Sequence, residues 1–383
     1  MALVWPEAHR AATKAWGSPI AWLIPPLAAL IGGIGVATLY SVAGGSMDPW
    51  AMRHVLRLIG GFAMLFGLAL VPARFWMRIA YPIYVIALFL VAAVLVRGTQ
   101  ALGAQRWLVV GPISVQPSEL MKFALILVLA RYFQQLPVRR IAHPISVLMP
   151  IALVALPMLL ILKQPDLGTA VLLGITGLTM IFLAGIPIQY FALGGATVAA
   201  IAPVLWALLH GYQKQRLLVF WDPAIDPLGR GYQIYQSKIA LGSGGLAGKG
   251  FLQGTQSQLN FVPEKHTDFV FALWAEETGF IGATILIGLF VALVWCLIVL
   301  ALRSRSTFGR LLISGVAASL FLHVFVNISM VVGLAPVVGV PLPLISYGGT
   351  SLFSLLTGLG IALGVSGETE DIQRAAHLER RRA

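Results

Sequence analysis

The sequence predicts an all-α, polytopic membrane protein with about ten transmembrane helices. Of its 383 residues, 58% are hydrophobic and only 10% are charged, and the mean hydropathy is +0.88. A soluble protein of this size carries roughly a quarter charged residues. Apolar runs of about 20 residues recur along the chain, and each is long enough to cross a hydrocarbon core about 30 Å thick. These runs do not alternate polar and apolar residues, as the strands of an outer-membrane barrel would.

Ten apolar runs are the candidate spans, and their boundaries follow from where charged and turn-forming residues interrupt them. They are 19–42, 52–71, 75–96, 118–134, 144–162, 168–187, 189–210, 268–302, 308–334 and 344–366. The division of 168–210 into two spans depends on GIP at 185–187, and on the 43 residues of this stretch being too many for one crossing. An even number of spans puts both termini on the same side.

The basic residues orient these spans in the membrane. The chain has a net charge of +12, and its compact basic clusters all fall on the side of the termini. They are Arg74 with Arg78, Arg131 with Arg139 and Arg140, Arg303 with Arg305 and Arg310, and the tail arginines Arg374, Arg380, Arg381 and Arg382. By the positive-inside rule this side is the cytoplasm. We therefore expect a cytoplasmic tail at 1–18, a ten-helix domain at 19–366 and a basic cytoplasmic tail at 367–383.

The same charges argue against other classes of protein. The basic residues are scattered or terminal and are not interleaved with aromatic side chains, so nucleic-acid binding is not predicted. The single cysteine, Cys296, lies inside an apolar run and excludes an internal disulfide. The seven histidines are scattered, and no metal-site motif is present. The sequence therefore predicts no metal site made by the protein alone.

The external side receives the longest loop, 211–267, between spans seven and eight. Loops of this length are usually functional or disordered. This one contains aromatic residues and a stretch with amphipathic character at 231–241, and we expect it to be ordered and functional. Within it, the glycine-rich segment GSGGLAGKG at 242–250 carries Lys249. It lacks the Ser or Thr that ends a Walker A loop, which leaves either a flexible bend or a backbone cradle for pyrophosphate.

A carboxylate, Asp268, opens the eighth span. The apolar residues 279–302 already give about 36 Å of helix, so Asp268 is expected above the hydrocarbon, near the lipid headgroups. Counted at 100° per residue, it shares an otherwise apolar face with Phe271 and Ala275. Two interpretations remain open: Asp268 caps the helix, or it is a functional carboxylate. Its pKa is drawn down by the helix N-terminus and by Lys265 and up by the apolar face, and the net direction stays open.

Other charged residues near the outer ends of the spans have structural or functional interpretations. Glu276 and Glu277 diverge around the helix and are expected to pair with basic groups on neighbouring helices. Glu119 and Lys122 are spaced i,i+3, which predicts either a structural ion pair or a polar cavity wall with Lys122 facing an anionic substrate. Asp166, just before the sixth span, is expected to cap a helix.

Five stretches on the external side resemble one known family, the SEDS proteins of shape, elongation, division and sporulation. They are GPISVQPSELMK at 111–122, QPDLGTA at 164–170, DPLGRGYQIYQSKIALGSGGLAGKG at 226–250, QGTQSQLNFVPEKHTDFVFALWAEETGFIG at 253–282 and PVVGVPLPLISYGGTS at 336–351. They occur in order from about residue 100 to 365. VPEKHTDF and the stretch around NISMVVGLAP look like the elongation branch rather than the division branch.

The resemblance implies a peptidoglycan glycosyltransferase that polymerises lipid II at the outer face of the cytoplasmic membrane, with inversion at the sugar. The family's essential Asp maps to Asp268, as the general base. The residues expected to bind substrate are Arg106, Gln116, Glu119, Lys122, Asp166, Lys238, Lys249, His266 and Thr267. Arg106, Lys122, Lys249 or a divalent cation (Mg²⁺ or Mn²⁺) would stabilise the pyrophosphate. The implied partners are a class B penicillin-binding protein and other membrane proteins of the elongation machinery.

Three other functions fit parts of the sequence. A flippase or transporter of lipid-linked precursors would suit a ten-helix bundle with an external polar cavity, although it would need polar groups across the membrane midplane. A polymerase of the division branch would share most of the motifs. A structural scaffold of the elongation complex would need no catalytic carboxylate at all.

Overall fold

The computed structural model describes residues 18–101, 104–110, 113–209, 211–227, 229–259 and 264–382, most of which are helical. The helices are α1 Ile24–Val42, α2 Ala51–Ala69, α3 Ala73–Arg97, α4 Pro117–Gln135, α5 Pro144–Lys163, α6 Leu167–Leu183, α7 Ile188–Leu208, α8 Gly211–Trp221, α9 Arg230–Ser243, α10 Thr255–Gln258, α11 Val270–Arg303, α12 Thr307–Val332 and α13 Gly349–Arg382. Single 3-10 turns lie at Ala21–Leu23, Val138–Arg140 and Pro223–Ile225.

Each of the ten predicted spans coincides with a helix, which confirms the polytopic α-helical fold. Within the described residues, seven helices are long and apolar enough to cross a membrane by length and composition, while α6 and the first part of α7 are shorter apolar helices. Helix α6 ends before Gly185, where the backbone turns to a φ of 94°, and α7 begins after Pro187. The predicted division of 168–210 into two helices is therefore confirmed.

The bundle is organised around α4 and α12. Helix α12 packs against α4, α6, α11 and α13, while α13 packs along α2, and α3 along α4. Side chains at the centre of these contacts, such as Met121, Leu129 and Leu312, are buried. Large apolar side chains remain exposed on the outer helix faces, including Phe89 and Trp295. This outward apolar surface is what contact with lipid requires.

A small antiparallel sheet connects α3 to α4, where the sequence indicated only a loop. Its strands are β1 Thr99–Ala101, β2 Ala104–Val110 and β3 Ile113–Val115, in the order β1-β2-β3. Gln100 pairs with Gln105, and Leu108 pairs with Val115. Strands of three and seven residues are too short for a periodicity to be evident, which is why sequence analysis missed them. The sheet places Arg106 on its central strand.

The long loop 211–267, which the sequence analysis expected on the external side, is ordered over its described residues and contains α8, α9 and α10. The amphipathic stretch at 231–241 lies within α9, as the pattern predicted. Ile234, Ser237 and Ala240 are buried where α9 packs against α11 and α12. The Ser237 hydroxyl donates to the Val331 carbonyl at 2.7 Å. The loop is therefore packed onto α11 and α12.

Helix α11 does not run unbroken through the predicted span 268–302. It begins at Val270, and Gly279 interrupts it with a φ of 69° and a ψ of −167°. The glycine-rich segment 244–250 lies against this break, where a Cβ on Gly279 would come 2.3 Å from the Gly248 nitrogen. A side chain at position 279 would therefore collide with backbone.

The segment 244–250 replaces the hydrogen bonds that the break removes from the helix. The amides of Phe280 and Ile281 donate to the carbonyls of Gly245 and Leu246 at 2.9 and 3.2 Å. In the other direction, two amides of the segment donate to two α11 carbonyls: Lys249 N to Glu276 O and Gly250 N to Glu277 O, both at 3.0 Å. Backbone groups in a membrane protein need such partners. The segment is thus pinned to α11 rather than being a free bend.

The last helix also differs from the sequence expectation. The predicted span 344–366 begins later, at Gly349, and the helix continues through the predicted tail as far as Arg382. The apolar part of this helix is Gly349–Gly367. The residues before it, which include Pro341 and Pro343, form an irregular segment. Leu344 has a φ of 66°, outside the right-handed helical region, so the helix cannot begin at residue 344.

Candidate functional site

Asp268 lies in the turn 264–269, immediately before α11. The residue at the N-cap position of α11 is Phe269, and no side chain caps this helix. The interpretation of Asp268 as a helix cap is therefore wrong. The argument that placed Asp268 on a helix face with Phe271 and Ala275 fails for the same reason, because residue 268 lies outside the helix.

Asp268 is also not a solitary carboxylate on an apolar face. A Cβ placed on Gly339 would lie 3.4 Å from Asp268 Oδ2 and 3.7 Å from Arg106 Nη1, so both side chains border the same space. Gly339 has a φ of 72°, a conformation that favours glycine. Next to it, the Val338 carbonyl accepts from Arg216 Nη1 at 3.1 Å. Two arginines thus lie on the same side of the molecule as the carboxylate.

Arg106 connects this space to the start of α6. Its Nε lies 3.4 Å from Asp166 Oδ2. The other carboxylate oxygen, Asp166 Oδ1, accepts from the Thr169 amide at 3.3 Å, so Asp166 is the N-cap of α6. The prediction that Asp166 caps a helix is confirmed. Its buried carboxylate also orients Arg106, which a cap alone would not do.

The surroundings of Asp268 raise its pKa from 3.8 to about 6. Burial is the largest cause, and the negative charge of Glu264 adds to it. Arg106 and Arg216 lower the pKa, and Asp166 raises it. Desolvation disfavours the charged carboxylate, while the guanidinium groups favour it. The sequence left open whether the pKa of Asp268 is raised or lowered, and the structure shows that it is raised. Lys265 is not among the causes of this shift.

The rest of the turn is held by aromatic and polar neighbours. The His266 ring stacks on Trp50, with centroids 4.9 Å apart, and burial lowers the pKa of His266. Thr267 Oγ1 donates to the Glu264 carboxylate at 3.0 Å, and Lys265 Nζ donates to the Val42 carbonyl at 3.1 Å. His266 and Thr267 therefore adjoin Asp268 as the sequence expected, although substrate contacts remain a prediction for both.

Glu119 and Lys122 form the predicted ion pair, buried between helices. Lys122 Nζ lies 2.7 Å from Glu119 Oε1 and 2.6 Å from His323 Nε2. His323 Nδ1 lies 2.6 Å from the Ser319 carbonyl, so a neutral ring donates there and accepts from Lys122. Lys122 and His323 of this cluster line a cleft between α4, α12 and α13, which is also lined by Pro343.

Glu276 and Glu277 differ in their partners. Glu276 is fully buried, and Lys249 Nζ lies 2.6 Å from its Oε1. The structural interpretation of Glu276 is confirmed, although its partner comes from the glycine-rich segment rather than from a helix. For Glu277 the predicted basic partner is wrong, since its carboxylate accepts from the Ser41 hydroxyl of α1. Lys249, expected at the pyrophosphate, is engaged by Glu276 in this structure.

Two further candidates for substrate binding are Gln116 and Lys238. Gln116 precedes α4 at its N-cap position, without a side-chain capping bond. Lys238 is exposed on α9, and its Cε lies 2.2 Å from where a Cβ on Gly333 would be. Its aliphatic chain therefore covers the end of α12. Substrate contacts remain a prediction for both residues.

The carboxylates near Asp268 do not make a metal centre by themselves. Across the described parts of the chain, no group of three or more His, Cys, Asp and Glu side chains could hold a metal ion. Asp166, the other carboxylate near Arg106, is already ion-paired. A divalent cation here would depend on oxygens from the substrate, as Mg²⁺ commonly does. We therefore assign no chemical step to a cation.

Sequence analysis missed several residues that the fold brings to this site. Arg216 lies on α8 inside the long loop, and nothing in its neighbourhood set it apart. His323 and Asn327 lie in the apolar run of α12, where polar side chains are costly and often functional. That rule would have singled them out. Gly339 and Ser346 lie within the motif 336–351, from which sequence analysis chose no residue.

A family model described as cell cycle protein, for FtsW, RodA and SpoVE, matches residues 21–371. The peptidoglycan glycosyltransferase MrdB of Escherichia coli K12 is 45% identical over 316 residues, which are 82% of this chain and 84% of MrdB. The probable peptidoglycan glycosyltransferase FtsW of Coxiella burnetii is 37% identical over 325 residues, 84% of this chain and 87% of that protein.

Solved structures show the same architecture. A chain from a study of how a peptidoglycan synthase complex coordinates polymerization and crosslinking has a TM-score of 0.78 and 37% identity, and the match covers 91% of this chain and 98% of that one. The rod shape determining protein RodA of Thermus thermophilus has a TM-score of 0.69 and 32% identity, covering 91% and 97%.

Proposed function

The chain belongs to the FtsW, RodA and SpoVE family of cell cycle proteins, and on this basis we propose that it is a peptidoglycan glycosyltransferase that polymerises lipid II during cell elongation. The name of the MrdB relative supports the activity. The higher identity to MrdB, 45% against 37% for the FtsW of Coxiella burnetii, favours the elongation branch. A glycosyltransferase also accounts for a carboxylate facing two arginines better than a flippase does.

The observation that carries the mechanism is the environment of Asp268. With a pKa of about 6, the carboxylate is about nine-tenths ionised at neutral pH and still basic enough to accept a proton, as a general base near neutrality should be. Arg106 and Arg216 supply positive charge beside it. A base with cations close to it suits a reaction that removes a proton and expels an anion.

The proposed step is a single displacement. Asp268 accepts the proton of the acceptor sugar's 4-hydroxyl as that oxygen attacks the anomeric carbon of the donor. The new C–O bond forms as the bond to the pyrophosphate breaks, and its electron pair leaves with undecaprenyl pyrophosphate. Attack from the face opposite the leaving group inverts the configuration from α to β. Asp268 then returns the proton to water.

The arginines would stabilise the departing pyrophosphate. A guanidinium offers a planar fork of N–H donors that matches phosphate oxygens. Arg106 is oriented by the buried Asp166 carboxylate, and Arg216 is oriented by the Val338 carbonyl. Lys122 lines the cleft between α4, α12 and α13, where its charge is balanced by Glu119. Preorganised charges of this kind are a large part of enzymatic rate enhancement.

The partner and the location are part of the same proposal. A class B penicillin-binding protein, which would cross-link the strands, fits the structural similarity to a chain of a peptidoglycan synthase complex. Other membrane proteins of the elongation machinery would join them. By the positive-inside rule the basic clusters support a cytoplasmic location for both termini, and Asp268 would then lie on the outer side of the inner membrane. Lipid II presents its sugars on that side.

The test is to replace Asp268 by Asn and to measure lipid II polymerisation by the purified protein with its transpeptidase partner. Asn is nearly isosteric with Asp but cannot accept the proton, so we expect the rate to fall by about 10²–10⁴-fold. Asp222→Asn is the matched control, because Asp222 is an exposed carboxylate of the same long loop. Its rate should equal that of the wild type.

Two outcomes would reject parts of this proposal. Polymer formation at the wild-type rate by the Asp268→Asn protein would refute the base assignment. If a strain carrying only that variant grew as normal rods, a scaffold would be the better description. A flippase would show itself by transbilayer movement of lipid II that depends on the protein and survives the substitution.

A further inference from the structure

The turn that carries Asp268 is fixed through three successive backbone carbonyls. The His266 carbonyl accepts from the Tyr347 amide at 2.8 Å. The Thr267 carbonyl accepts from the Ser346 hydroxyl at 2.5 Å, and the Asp268 carbonyl accepts from Asn327 Nδ2 at 2.9 Å. All three donors come from elsewhere in the chain. The backbone of the turn is therefore held from outside rather than by its own helix.

Asn327 joins the turn to the segment that faces the carboxylate. It is fully buried on α12, and its Nδ2 donates both to Asp268 O and to Val340 O, the latter at 2.7 Å. Gly339, the neighbour of Val340, is the residue whose Cβ would lie 3.4 Å from Asp268 Oδ2. One amide group thus sets the spacing between the backbone of Asp268 and the wall that its carboxylate faces.

Ser346 makes a second connection of the same kind. Its buried hydroxyl donates to Thr267 O and accepts from the Leu342 amide at 2.8 Å. A hydroxyl can do both at once because it carries one donor and two acceptor lone pairs. The segment 339–347 is therefore tied to itself and to the catalytic turn by a single side chain.

These bonds contrast with the freedom of the carboxylate itself. Within the described part of the chain, no donor makes a hydrogen bond to the Asp268 carboxylate, and the residue is partly exposed. Its position is determined by the backbone that carries it. A base must lie within hydrogen-bonding reach of the proton it removes, and a displacement of about 1 Å can cost 10²-fold in rate.

We propose that Asn327 and Ser346 are positioning residues for polymerisation, which hold the backbone of residues 267–268 so that the Asp268 carboxylate faces Gly339 and Arg106. This inference depends on the proposed function, in which Asp268 is the base. Neither residue needs to touch the substrate. Both act through the carbonyls that they bind.

The test uses Asn327→Leu, which keeps the size and removes the donors, and Ser346→Ala, which removes the hydroxyl. Both are measured in the full-length protein with its transpeptidase partner. We expect kcat for lipid II polymerisation to fall by about 10–100-fold and about 3–10-fold respectively, with KM within about twofold. We also expect the acid limb of the pH profile to move to lower pH, because a loosened turn lets water reach the carboxylate.

Two variants serve as controls. Ser346→Thr keeps a hydroxyl and should retain most of kcat together with the wild-type acid limb. Ser237→Ala removes another buried serine hydroxyl that donates to a backbone carbonyl, that of Val331 at 2.7 Å, but in the packing of α9. It should leave both kcat and the acid limb unchanged.

The outcomes separate this inference from the function on which it depends. An active Asp268→Asn protein refutes the base assignment itself. If Asp268→Asn is inactive while folded Asn327→Leu and Ser346→Ala keep the wild-type kcat, the positioning role is wrong. A lower kcat with an unchanged acid limb of the pH profile also overturns the positioning role, because a general loss of structure would lower kcat in the same way. If size-exclusion chromatography shows that Asn327→Leu does not fold, Ser346→Ala decides alone.

Discussion

Asp268 and Glu276 lie in one short stretch of sequence, and the structure treats these two carboxylates in opposite ways. The carboxylate of Glu276 is fully buried and accepts from Lys249 Nζ, Thr255 Oγ1 and the Gln256 amide at 2.6 to 3.2 Å. Asp268 is partly exposed, and its backbone is what the surrounding residues hold. The carboxylate of Glu276 is occupied by structural hydrogen bonds. The carboxylate of Asp268 is positioned through its backbone and can still accept a proton.

The difference teaches how to separate a structural acid from one that the proposed function treats as catalytic. A buried carboxylate with several donors is part of the packing, because those donors stabilise its charge and occupy its lone pairs. A carboxylate with a fixed backbone, nearby cations and few donors keeps its capacity to accept a proton. The pKa of Asp268 is raised to about 6 mainly by burial, and the negative charge of Glu264 adds to the rise.

The largest expected effect is the loss of polymerisation in Asp268→Asn. Glu276→Gln should instead lower the stability of the protein and leave polymerisation intact. Removing the buried Glu276 charge leaves Lys249 without its ion-pair partner, which should destabilise the protein by about 3 kcal/mol. The thermal midpoint in detergent should fall, while polymerisation per folded molecule keeps the wild-type pH profile. Combining Glu276→Gln with Lys249→Met in a double-mutant cycle should recover part of the loss.

The next largest effect is a loss of stability from substitution at the break in α11. The segment 244–250, which carries Lys249, the partner of Glu276, is bonded to α11 at this break. Gly279→Ala should cost about 2 kcal/mol, because residue 279 has a φ of 69° and its Cβ would lie 2.3 Å from the Gly248 nitrogen. Gly288→Ala is the matched control: it lies on the same helix, and nothing lies within 4 Å of its Cβ. Thermal unfolding measures both, and equal midpoints would show that the break tolerates a side chain.

The smallest effects are shifts in pH dependence. Because the Asp268 pKa is raised to about 6, kcat/KM should be full above pH 7 and should fall about tenfold per pH unit below pH 6, as the carboxylate gains its proton. The charges that face it are Glu264, Asp166, Arg106 and Arg216. Glu264→Gln removes a negative charge and should move this acid limb to lower pH. Arg106→Met should move it to higher pH, and a common direction for both would contradict the electrostatic account.

Much of the fold could be predicted from the chain alone, because membrane insertion depends on local composition. Each apolar run became a helix, and the split at Gly185 and Pro187 followed from length and turn-forming residues. The sheet at 99–115 and the break at Gly279 could not be found in this way. Short strands have no clear period, and a glycine inside an apolar run breaks a helix only if another segment satisfies the freed backbone groups.

Sequence analysis predicted the charged residues of the candidate site but not the contacts between them. Asp268, Arg106 and Asp166 were singled out as charged residues at the outer ends of the spans. The connection of Arg106 to Asp166, and the approach of both to Asp268, join three distant parts of the chain. No spacing rule reports such contacts. Asn327 and Ser346 are neutral and buried, so their bonds to the turn are evident only in three dimensions.

The sequence by itself determined that this protein is a membrane-embedded helical bundle, and its motifs indicated the family and the carboxylate, Asp268, to which the proposed function assigns the role of base. Hydrophobic runs and basic clusters are local properties, so they can be read along the chain. Only the tertiary structure showed that Asp268 precedes its helix rather than capping it, and that Glu276 forms an ion pair with Lys249. It also decided that the Asp268 pKa rises, because burial and the balance of distant charges depend on which segments meet.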